Sequence, residues 1–302
     1  GFVINRFRGD VRLFKDGVKW IETKTGKPVF GVLPWYDHFT IESEDSVTIE
    51  APKAVAPENI KPPAVAVIRL PHISNFTDFE TLKSLRHLNV YFLERVQELS
   101  VFDAVILPGS KSTRTDLEWL KQKGWRDQLH TYVKQGGYVW GICGGYQMLG
   151  RRVHDPEGLE GNPGASDGLD LLPVETILKA PKTTTLTRFS WGANQGRGYE
   201  IHMGQTDRLG GFPLFDVFEQ NGGSCRREDG CITLNSKIAG TYIHGLFDNP
   251  SIARQWLRLI GLGHVDIPST YGYEAKEKAY DLLADHFKSH VDMEKLNQIM
   301  GV

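Results

Sequence analysis

The chain has 302 residues, with 35 Lys and Arg against 37 Asp and Glu, so its formal net charge at pH 7 is −2. This balance argues against a general binder of nucleic acids or membrane surfaces, and the length is enough for one large domain or two smaller ones. No apolar run approaches the ~20 residues that a membrane helix needs, and the three cysteines lack metal-ligand spacing. We therefore expect a cytoplasmic protein without a metal site.

The first 63 residues predict the end of one domain and a linker. Residues 1–50 contain two strand-like segments, FVIN and FGVLPW, and the first residue is not methionine. We expect these segments to complete a sheet whose other strands belong to a longer protein. Residues 51–63, APKAVAPENIKPP, carry four prolines and no periodic apolar pattern, which is typical of a stiff, extended linker.

From residue 64 onward, strand-like segments alternate with helical ones. The strands are AVAVIRL, VYFLE, DAVILPG and YVWGIC, and the helices between them are FTDFETLKSL, STRTDLEWLKQKG and RDQLHTYVKQGG. This alternation predicts an α/β domain over 64–260, with a mostly parallel sheet flanked by helices. Ligands of such sheets bind at the carboxyl ends of the strands, where Gly109, Ser110 and Cys143 fall.

After about residue 165 the segments become shorter and are separated by glycine-rich turns. LDLLPVET, GYEIHMG, GCITLNS and IAGTYIHGLF are strand-like, and we expect them to add strands to the same sheet. SIARQWLRLIG predicts a closing helix. Residues 261–302 predict an amphipathic helical tail that packs on the core or on a partner.

Residues 141–150, GICGGYQMLG, set Cys143 between small residues where a buried strand should turn sharply into a helix. Glycines around such a nucleophile elbow allow a tight bend and close approach of a substrate. The helix that follows would direct free N–H groups at the sulfur, which favours the thiolate. We interpret Cys143 as a nucleophile; a buried structural cysteine is the alternative.

A thiolate nucleophile needs a general base, and His244 is the best candidate among the ten histidines. It ends an apolar strand in GTYIHGLF and is followed by glycine, so its imidazole would reach a neighbouring strand end. His202 in GYEIHMG is the second candidate. Glu200 and His202 lie two residues apart on a predicted strand and so share one face, which suits substrate binding or orientation of another side chain.

The turn LPGSKST follows a buried strand. The backbone N–H groups of Gly109 and Ser110 would complete an oxyanion hole with that of Gly144. The alternative is an ordinary turn capped by Ser110 or Ser112.

The pattern G-x-C-x-G-x-Q at 141–147, with a later strand-end histidine, resembles the class I glutamine amidotransferase domain. Within that superfamily, WGICGGYQMLG, LPGSK, GYEIHMG and GTYIHGLF together resemble the cobyric acid synthase family. The resemblance implies that Cys143 forms a γ-glutamyl thioester, that His244 is general base and acid, and that Gln147 holds the glutamine. Class I enzymes usually have a glutamate two residues after the catalytic histidine, and this chain has Leu246 at that position. The group that orients His244 is therefore unidentified.

We predict that Glu200 substitutes for that orienting group. We also predict that Tyr199, Glu200 and His202 either contact the substrate or support the residues that contact it. Residues 1–50, through GFVINRFRGD and PVFGVLPW, resemble the end of the family's dethiobiotin-synthetase-like, ATP-dependent domain. That resemblance implies an adenine contact for Asn5, which is otherwise a structural residue at a strand end.

The family activity implied is amidation of corrin carboxylates of adenosylcobyrinic a,c-diamide, with L-glutamine as ammonia donor and ATP and Mg²⁺ at the synthetase domain. No phosphate loop of the form G-x-x-x-x-G-K-[ST] occurs in the sequence. We therefore expect the missing synthetase part in the same polypeptide or on a separate chain, and no cofactor on the glutaminase domain.

Other functions stay open at this point. Related enzymes are the a,c-diamide synthase of the same pathway and the amidotransferase subunit that acts on lipid II. A cysteine hydrolase or peptidase would use Cys143 and His244 without ATP. A third possibility is a non-catalytic paralogue that acts as a binding or regulatory module; the intact Cys143 and His244 count against it, and the absent phosphate loop counts for it.

Overall fold

The computed structural model describes residues 1–36 and 59–301, which form two compact units. The terminal unit comprises the described residues of 1–36 and 273–301, and the central unit comprises residues 59–272. Residues 37–58 lie outside the described residues. They include residues 37–50 of the predicted N-terminal domain and residues 51–58 of the predicted linker at 51–63.

Helices and strands alternate through the first half of the central unit, and strands dominate its second half. The helices are α1 (Lys15–Thr25), α2 (Thr77–Lys83), α3 (Thr113–Lys123), α4 (Trp125–Lys134), α5 (Gly144–Leu149), α6 (Pro250–Leu259), α7 (Tyr273–His290) and α8 (Met293–Met300). The strands are β1 (Phe2–Phe7), β2 (Val29–Pro34), β3 (Ala64–Ile68), β4 (Asn89–Leu93), β5 (Ala104–Leu107), β6 (Tyr138–Ile142), β7 (Arg152–Asp155), β8 (Gly164–Asp167), β9 (Val174–Ile177), β10 (Thr183–Trp191), β11 (Asn194–His202), β12 (Gln205–Arg208), β13 (Phe215–Gln220), β14 (Gly223–Asp229), β15 (Cys231–Ile232), β16 (Ile238–Thr241) and β17 (Ile243–His244). Among the described residues, no helix is long and apolar enough to cross a membrane.

The terminal unit is a parallel pair of strands covered by the C-terminal helices. β1 pairs with β2 in parallel, and α7 and α8 both pack on β2. Phe30, Leu33 and Val291 form its buried apolar cluster. The Asp292 N–H donates to the Phe30 carbonyl oxygen at 2.8 Å, which joins the turn between the two helices to β2.

The central unit is built on a six-stranded sheet of order β15-β16-β6-β5-β3-β4. All neighbouring strands are parallel except β15, which runs antiparallel to β16. β3 is buried along its whole length, as expected for a strand covered on both faces. Residues of α3, α4 and α5 pack on one face and residues of α2 and α6 on the other. The predicted α/β fold is confirmed.

This sheet brings four chain segments to one edge. β3 leads into α2, β5 ends at Leu107, β6 ends at Ile142, and β16 ends at Thr241 just before β17. Because parallel strands share their carboxyl edge, the residues after these strands meet there, near the point where the strand order reverses.

The expectation that the four strand-like segments after residue 165 extend the same sheet is right for GCITLNS and for the first strand of IAGTYIHGLF, and wrong for LDLLPVET and GYEIHMG. LDLLPVET contributes β9 to a four-stranded sheet, β12-β9-β7-β8, and GYEIHMG contributes to β11 of a five-stranded sheet, β14-β13-β10-β11-β17. The reason is local pairing: β10 and β11 form a hairpin of nine residue pairs, and β13 pairs with β14 across a two-residue turn. β15 and β16 alone among these later strands join the central sheet.

The C-terminal helices begin later than the predicted tail at 261–302. Residues 261–272 belong to the central unit, and α7 starts at Tyr273. Gly261 has φ +84° and Gly272 φ +60°, backbone conformations that interrupt a helix.

Gly145 gives the fold a direct test. A Cβ on Gly145 would lie 2.1 Å from the Leu107 carbonyl oxygen, so α5 cannot sit on β5 with any larger residue there. We expect Gly145→Ala to lower the free energy of unfolding by about 1–3 kcal/mol, measured by urea denaturation. Gly223→Ala is the matched control because its nearest contact would be an ordinary 3.4 Å. Equal effects of the two changes would contradict this packing.

Candidate active site

Cys143 occupies the single residue between β6 and α5. Its φ of 52° and ψ of −111° lie outside the regions that non-glycine residues usually adopt, so the chain holds this residue in a strained turn. The side chain is 6% exposed, and its Sγ lies 3.7 Å from the Ile201 carbonyl oxygen. The predicted sharp turn from strand to helix at Cys143 is confirmed, and the role of Cys143 as nucleophile stays a prediction.

His244 lies beside this turn and is paired with a carboxylate. Its Nδ1 is 2.7 Å from Oδ2 of Asp78 in the first turn of α2, and Oδ1 of Asp78 accepts from the Gly245 N–H at 2.9 Å. A Cβ built on Gly109 would lie 3.3 Å from His244 Cε1 and 3.7 Å from Cys143 Cβ, so all three residues meet at one point. The order thiol, imidazole, carboxylate is that of a catalytic triad.

The charge on His244 follows from its surroundings. Burial lowers the pKa of the imidazole, but the Asp78 carboxylate and the neighbouring Cys143 raise it, and the net result is a pKa raised to about 10. Within the described part of the chain, Nε2 is buried and makes no hydrogen bond. The geometry therefore favours an imidazolium at neutral pH, whose Nε2–H is free to act in the site. Such a cation stabilises the thiolate form of the neighbouring Cys143.

Tyr199 covers the ring of His244. The two rings are stacked, with centroids 5.1 Å apart and planes 18° apart, because β11 and β17 place them directly opposite. The Tyr199 hydroxyl accepts a hydrogen bond from Asn75 Nδ2 at 2.8 Å. Burial and the nearby charge of Asp78 raise the pKa of Tyr199 to about 12.

Glu200 does not orient His244, and Asp78 has that position instead. Successive residues of a strand point to opposite faces, so Tyr199 faces His244 and Glu200 faces away. Glu200 accepts from Thr187 Oγ1 at 3.0 Å, pairs with Arg227 and lies 3.4 Å from His202 Nε2. Burial raises the pKa of Glu200, but these partners outweigh it and hold the pKa below its usual value.

The contacts of the His202 side chain are with Tyr242 and Glu200. Its ring stacks on Tyr242, with centroids 3.7 Å apart, and its Nε2 faces Glu200. A direct contact of Glu200 or His202 with substrate stays a prediction, and their observed partners favour a supporting role.

Gln147 is buried and its side chain is used by the protein itself. Nε2 donates to the Met203 carbonyl oxygen at 3.0 Å and to the Tyr242 hydroxyl at 3.1 Å, while Oε1 accepts from Thr113 Oγ1 at 3.0 Å. Both amide protons are thereby engaged. A contact with glutamine stays a prediction, and these bonds favour a role in fixing α5 against the strand that ends at His202.

The residues predicted to form an oxyanion hole lie together. A Cβ on Gly144 would come within 2.9 Å of the Ser110 nitrogen, so the start of α5 faces the turn after β5. That turn is fixed by Ser110 Oγ, which donates to Asp116 Oδ2 at 2.6 Å, and by the Gly109 carbonyl oxygen, which accepts from the Ser74 N–H at 2.9 Å. Anion binding here remains a prediction.

Asn5 lies in the terminal unit. Its Oδ1 accepts from the Arg6 N–H at 2.8 Å, and it lines a cavity of about 580 Å³ with apolar residues of β1, β2 and α7. A contact of Asn5 with adenine stays a prediction.

Asp78 and Asn75 are the site residues that the sequence analysis missed. A signal for Asp78 was present, because it is an acidic residue in the first turn of the helix after β3, at the carboxyl edge of the predicted sheet. Asn75 has a positive φ of 55°, which the sequence gives no means to anticipate.

Comparisons with known proteins give the family of this chain. Residues 64–252 match the model of the CobB/CobQ-like glutamine amidotransferase domain. The cobyric acid synthase of Chlorobaculum tepidum is 44% identical over 308 residues, which cover 100% of this chain and 60% of that protein. The cobyric acid synthase of Syntrophobacter fumaroxidans is 39% identical over 319 residues, covering 100% of this chain and 62% of that protein.

The chain thus spans about 60% of the length of such curated relatives. Among solved structures, PurLQS from Thermotoga maritima aligns with a TM-score of 0.48 and 14% identity, covering 73% of this chain and 99% of that one. Since the family model covers more than half of the residues, the chain belongs to the CobB/CobQ-like glutamine amidotransferase family.

Proposed function

We propose that this chain is the glutamine-hydrolysing part of a cobyric acid synthase and supplies ammonia for amidation of corrin side-chain carboxylates. The observation that carries the proposal is the Cys143, His244 and Asp78 arrangement at the carboxyl edge of the central sheet, in a member of this family. Curated relatives named cobyric acid synthase support the substrate assignment.

In the first half-reaction the Cys143 thiolate attacks the side-chain amide carbon of glutamine. The carbonyl oxygen becomes an oxyanion, which the N–H groups near Ser110 and Gly144 would bind. The His244 imidazolium gives its Nε2 proton to the amide nitrogen, so that the C–N bond breaks and ammonia leaves. The product is a γ-glutamyl thioester on Cys143.

The second half-reaction regenerates the enzyme. His244, now neutral, takes a proton from water while the oxygen attacks the thioester carbon. The C–S bond breaks, glutamate leaves, and the thiolate and imidazolium are restored. Asp78 stays ionised throughout and stabilises the imidazolium each time it forms.

The acceptor half of the reaction requires ATP and Mg²⁺ to activate the corrin carboxylate. We assign that chemistry to a synthetase part, in the same polypeptide or a partner chain, because the chain spans about 60% of its relatives and carries no phosphate loop. Asn5 in the terminal unit would then contact the adenine. The intact site argues against a non-catalytic paralogue, and the family match argues against a peptidase.

We expect a glutamine-mimicking electrophile to label Cys143 once, detected by intact mass and peptide mapping. Glutamine should protect Cys143, and His244→Ala should slow the labelling about tenfold or more because the thiolate loses its cationic neighbour. Cys225→Ala is the control and should label at the wild-type rate. Absence of labelling in the wild type, even with the synthetase part added, would overturn the proposed function.

Asp78→Asn tests the assigned triad. Removing the carboxylate charge lowers the pKa of His244, so the imidazolium is lost at a lower pH than in the wild type. We expect Cys143 alkylation at pH 8 to fall by about tenfold or more. Asp155→Asn, another buried carboxylate with backbone partners, is the matched control. An unchanged rate in Asp78→Asn would remove Asp78 from the mechanism.

Cys143→Ser separates the two half-reactions. With the synthetase part, ATP, Mg²⁺ and the corrinoid supplied, we expect this variant to lose amidation from glutamine and to keep amidation from added ammonium salt, because only ammonia release needs the thiolate. Mass spectrometry of the corrinoid measures both. Loss of the two activities together would show that Cys143 acts elsewhere.

A further inference from the structure

The segment 72–78, which ends in the first turn of α2, contacts the turn after β5, Tyr199 and His244. Its backbone holds the turn after β5, since the Lys111 N–H donates to the His72 carbonyl oxygen at 2.9 Å. Its last residue, Asp78, holds His244. Its middle residue, Asn75, has no role in the reaction as described above.

Asn75 acts on two neighbours at once. Its side-chain Nδ2 donates to the Tyr199 hydroxyl at 2.8 Å, and its carbonyl oxygen accepts from the Asp78 N–H at 3.1 Å. The φ of 55° lies in the left-handed region, which asparagine tolerates better than most residues. A strained residue held by partners on both sides suggests a positional requirement.

Tyr199 connects Asn75 to the base. Its ring lies 5.1 Å from that of His244 in a stacked arrangement, while Asp78 binds the edge of the same imidazole through Nδ1. The imidazole is therefore fixed by one contact on its face and one on its edge. Asn75 binds the residues responsible for both contacts.

We propose that Asn75 and Tyr199 are positioning residues that together hold the His244 imidazole in the plane that faces Cys143. The inference rests on the proposed function, since positioning has meaning only if His244 transfers protons. It is separable from that function because ring position and charge can be read without turnover.

The stacked ring also has an electrostatic consequence. An aromatic face near a cation stabilises it, so Tyr199 should help to keep His244 protonated. The titratable groups facing His244 are Asp78 of α2, Cys143 of the β6-α5 turn and Tyr199 of β11, and Asp248, in the turn after β17, acts on Tyr199. A change at Tyr199 leaves Asp78 and Cys143 in place.

The test uses Tyr199→Leu, Tyr199→Phe and Asn75→Gly in the full chain. The titration midpoint of the His244 ring is followed by NMR and assigned with His244→Gln, and glutaminase kcat and KM are measured across pH. We expect Tyr199→Leu to lower the midpoint by about half to one pH unit and kcat by about tenfold, with little change in KM. Tyr199→Phe keeps the stacked face and should keep the midpoint.

Asn75→Gly removes the side chain without adding strain, because glycine adopts φ 55° freely. We expect a severalfold lower kcat, and the double variant with Tyr199→Phe should lose less than the sum of the two single changes, since each change removes the hydrogen bond between Asn75 Nδ2 and the Tyr199 hydroxyl. If Tyr199→Leu does not fold, Asn75→Gly alone still tests the proposal. Tyr91→Leu controls for loss of an aromatic ring elsewhere in the central unit.

An unchanged midpoint and kcat in Tyr199→Leu, or an unchanged kcat in Asn75→Gly, would overturn the proposal. A midpoint in Tyr199→Phe as low as in Tyr199→Leu would also overturn it, since the ring face would then not be the cause. Failure of the proposed function looks different: Cys143 of the wild type would resist the electrophile, whereas the ring titration would still respond to Tyr199.

Discussion

The buried pairing of Asp78 with His244 is the interaction on which the candidate site depends. The histidine is fully buried and the aspartate almost so, and two charges out of water are tolerated only when each is paired and hydrogen-bonded. The pairing meets this condition, since one carboxylate oxygen contacts the imidazole and the other accepts from the Gly245 N–H. It fixes which ring nitrogen remains for Cys143 and maintains positive charge beside the thiol.

The parallel sheet makes this pairing feasible. Asp78 follows β3 and His244 follows β16, strands separated in the sheet by β5 and β6, whose own ends supply the Ser110 turn and Cys143. The Ser110 turn and Cys143 therefore follow strands that are paired on both sides, whereas Asp78 lies in the first turn of α2 and His244 ends β17, which pairs with β11. The small residues around Cys143 also help to position the thiol, because Gly145 lets α5 approach β5 closely.

Local patterns in the sequence predicted the sheet, the elbow at Cys143 and the strand-end histidine, because each is encoded within about ten residues. The partner of His244 needed more than a local pattern, since Asp78 lies 166 residues away and its only signal was its place after β3 at the carboxyl edge of the predicted sheet. Glu200 was predicted as a substitute orienting group, but the strand pleat turns it away from His244. The sequence analysis also missed that the later hairpins pair among themselves in separate sheets. The reason is related: a strand-like pattern predicts a strand but not the strand with which it pairs.

The most direct test of the account is acid quenching during steady-state turnover of glutamine, followed by mass analysis of the three cysteine-containing peptides. The account predicts a γ-glutamyl thioester on the peptide containing Cys143 and none on those containing Cys225 or Cys231. It also predicts that the thioester accumulates further when deacylation is slowed in a His244 variant that still acylates. Turnover with Cys143 unmodified at every quench time would contradict covalent catalysis at the elbow.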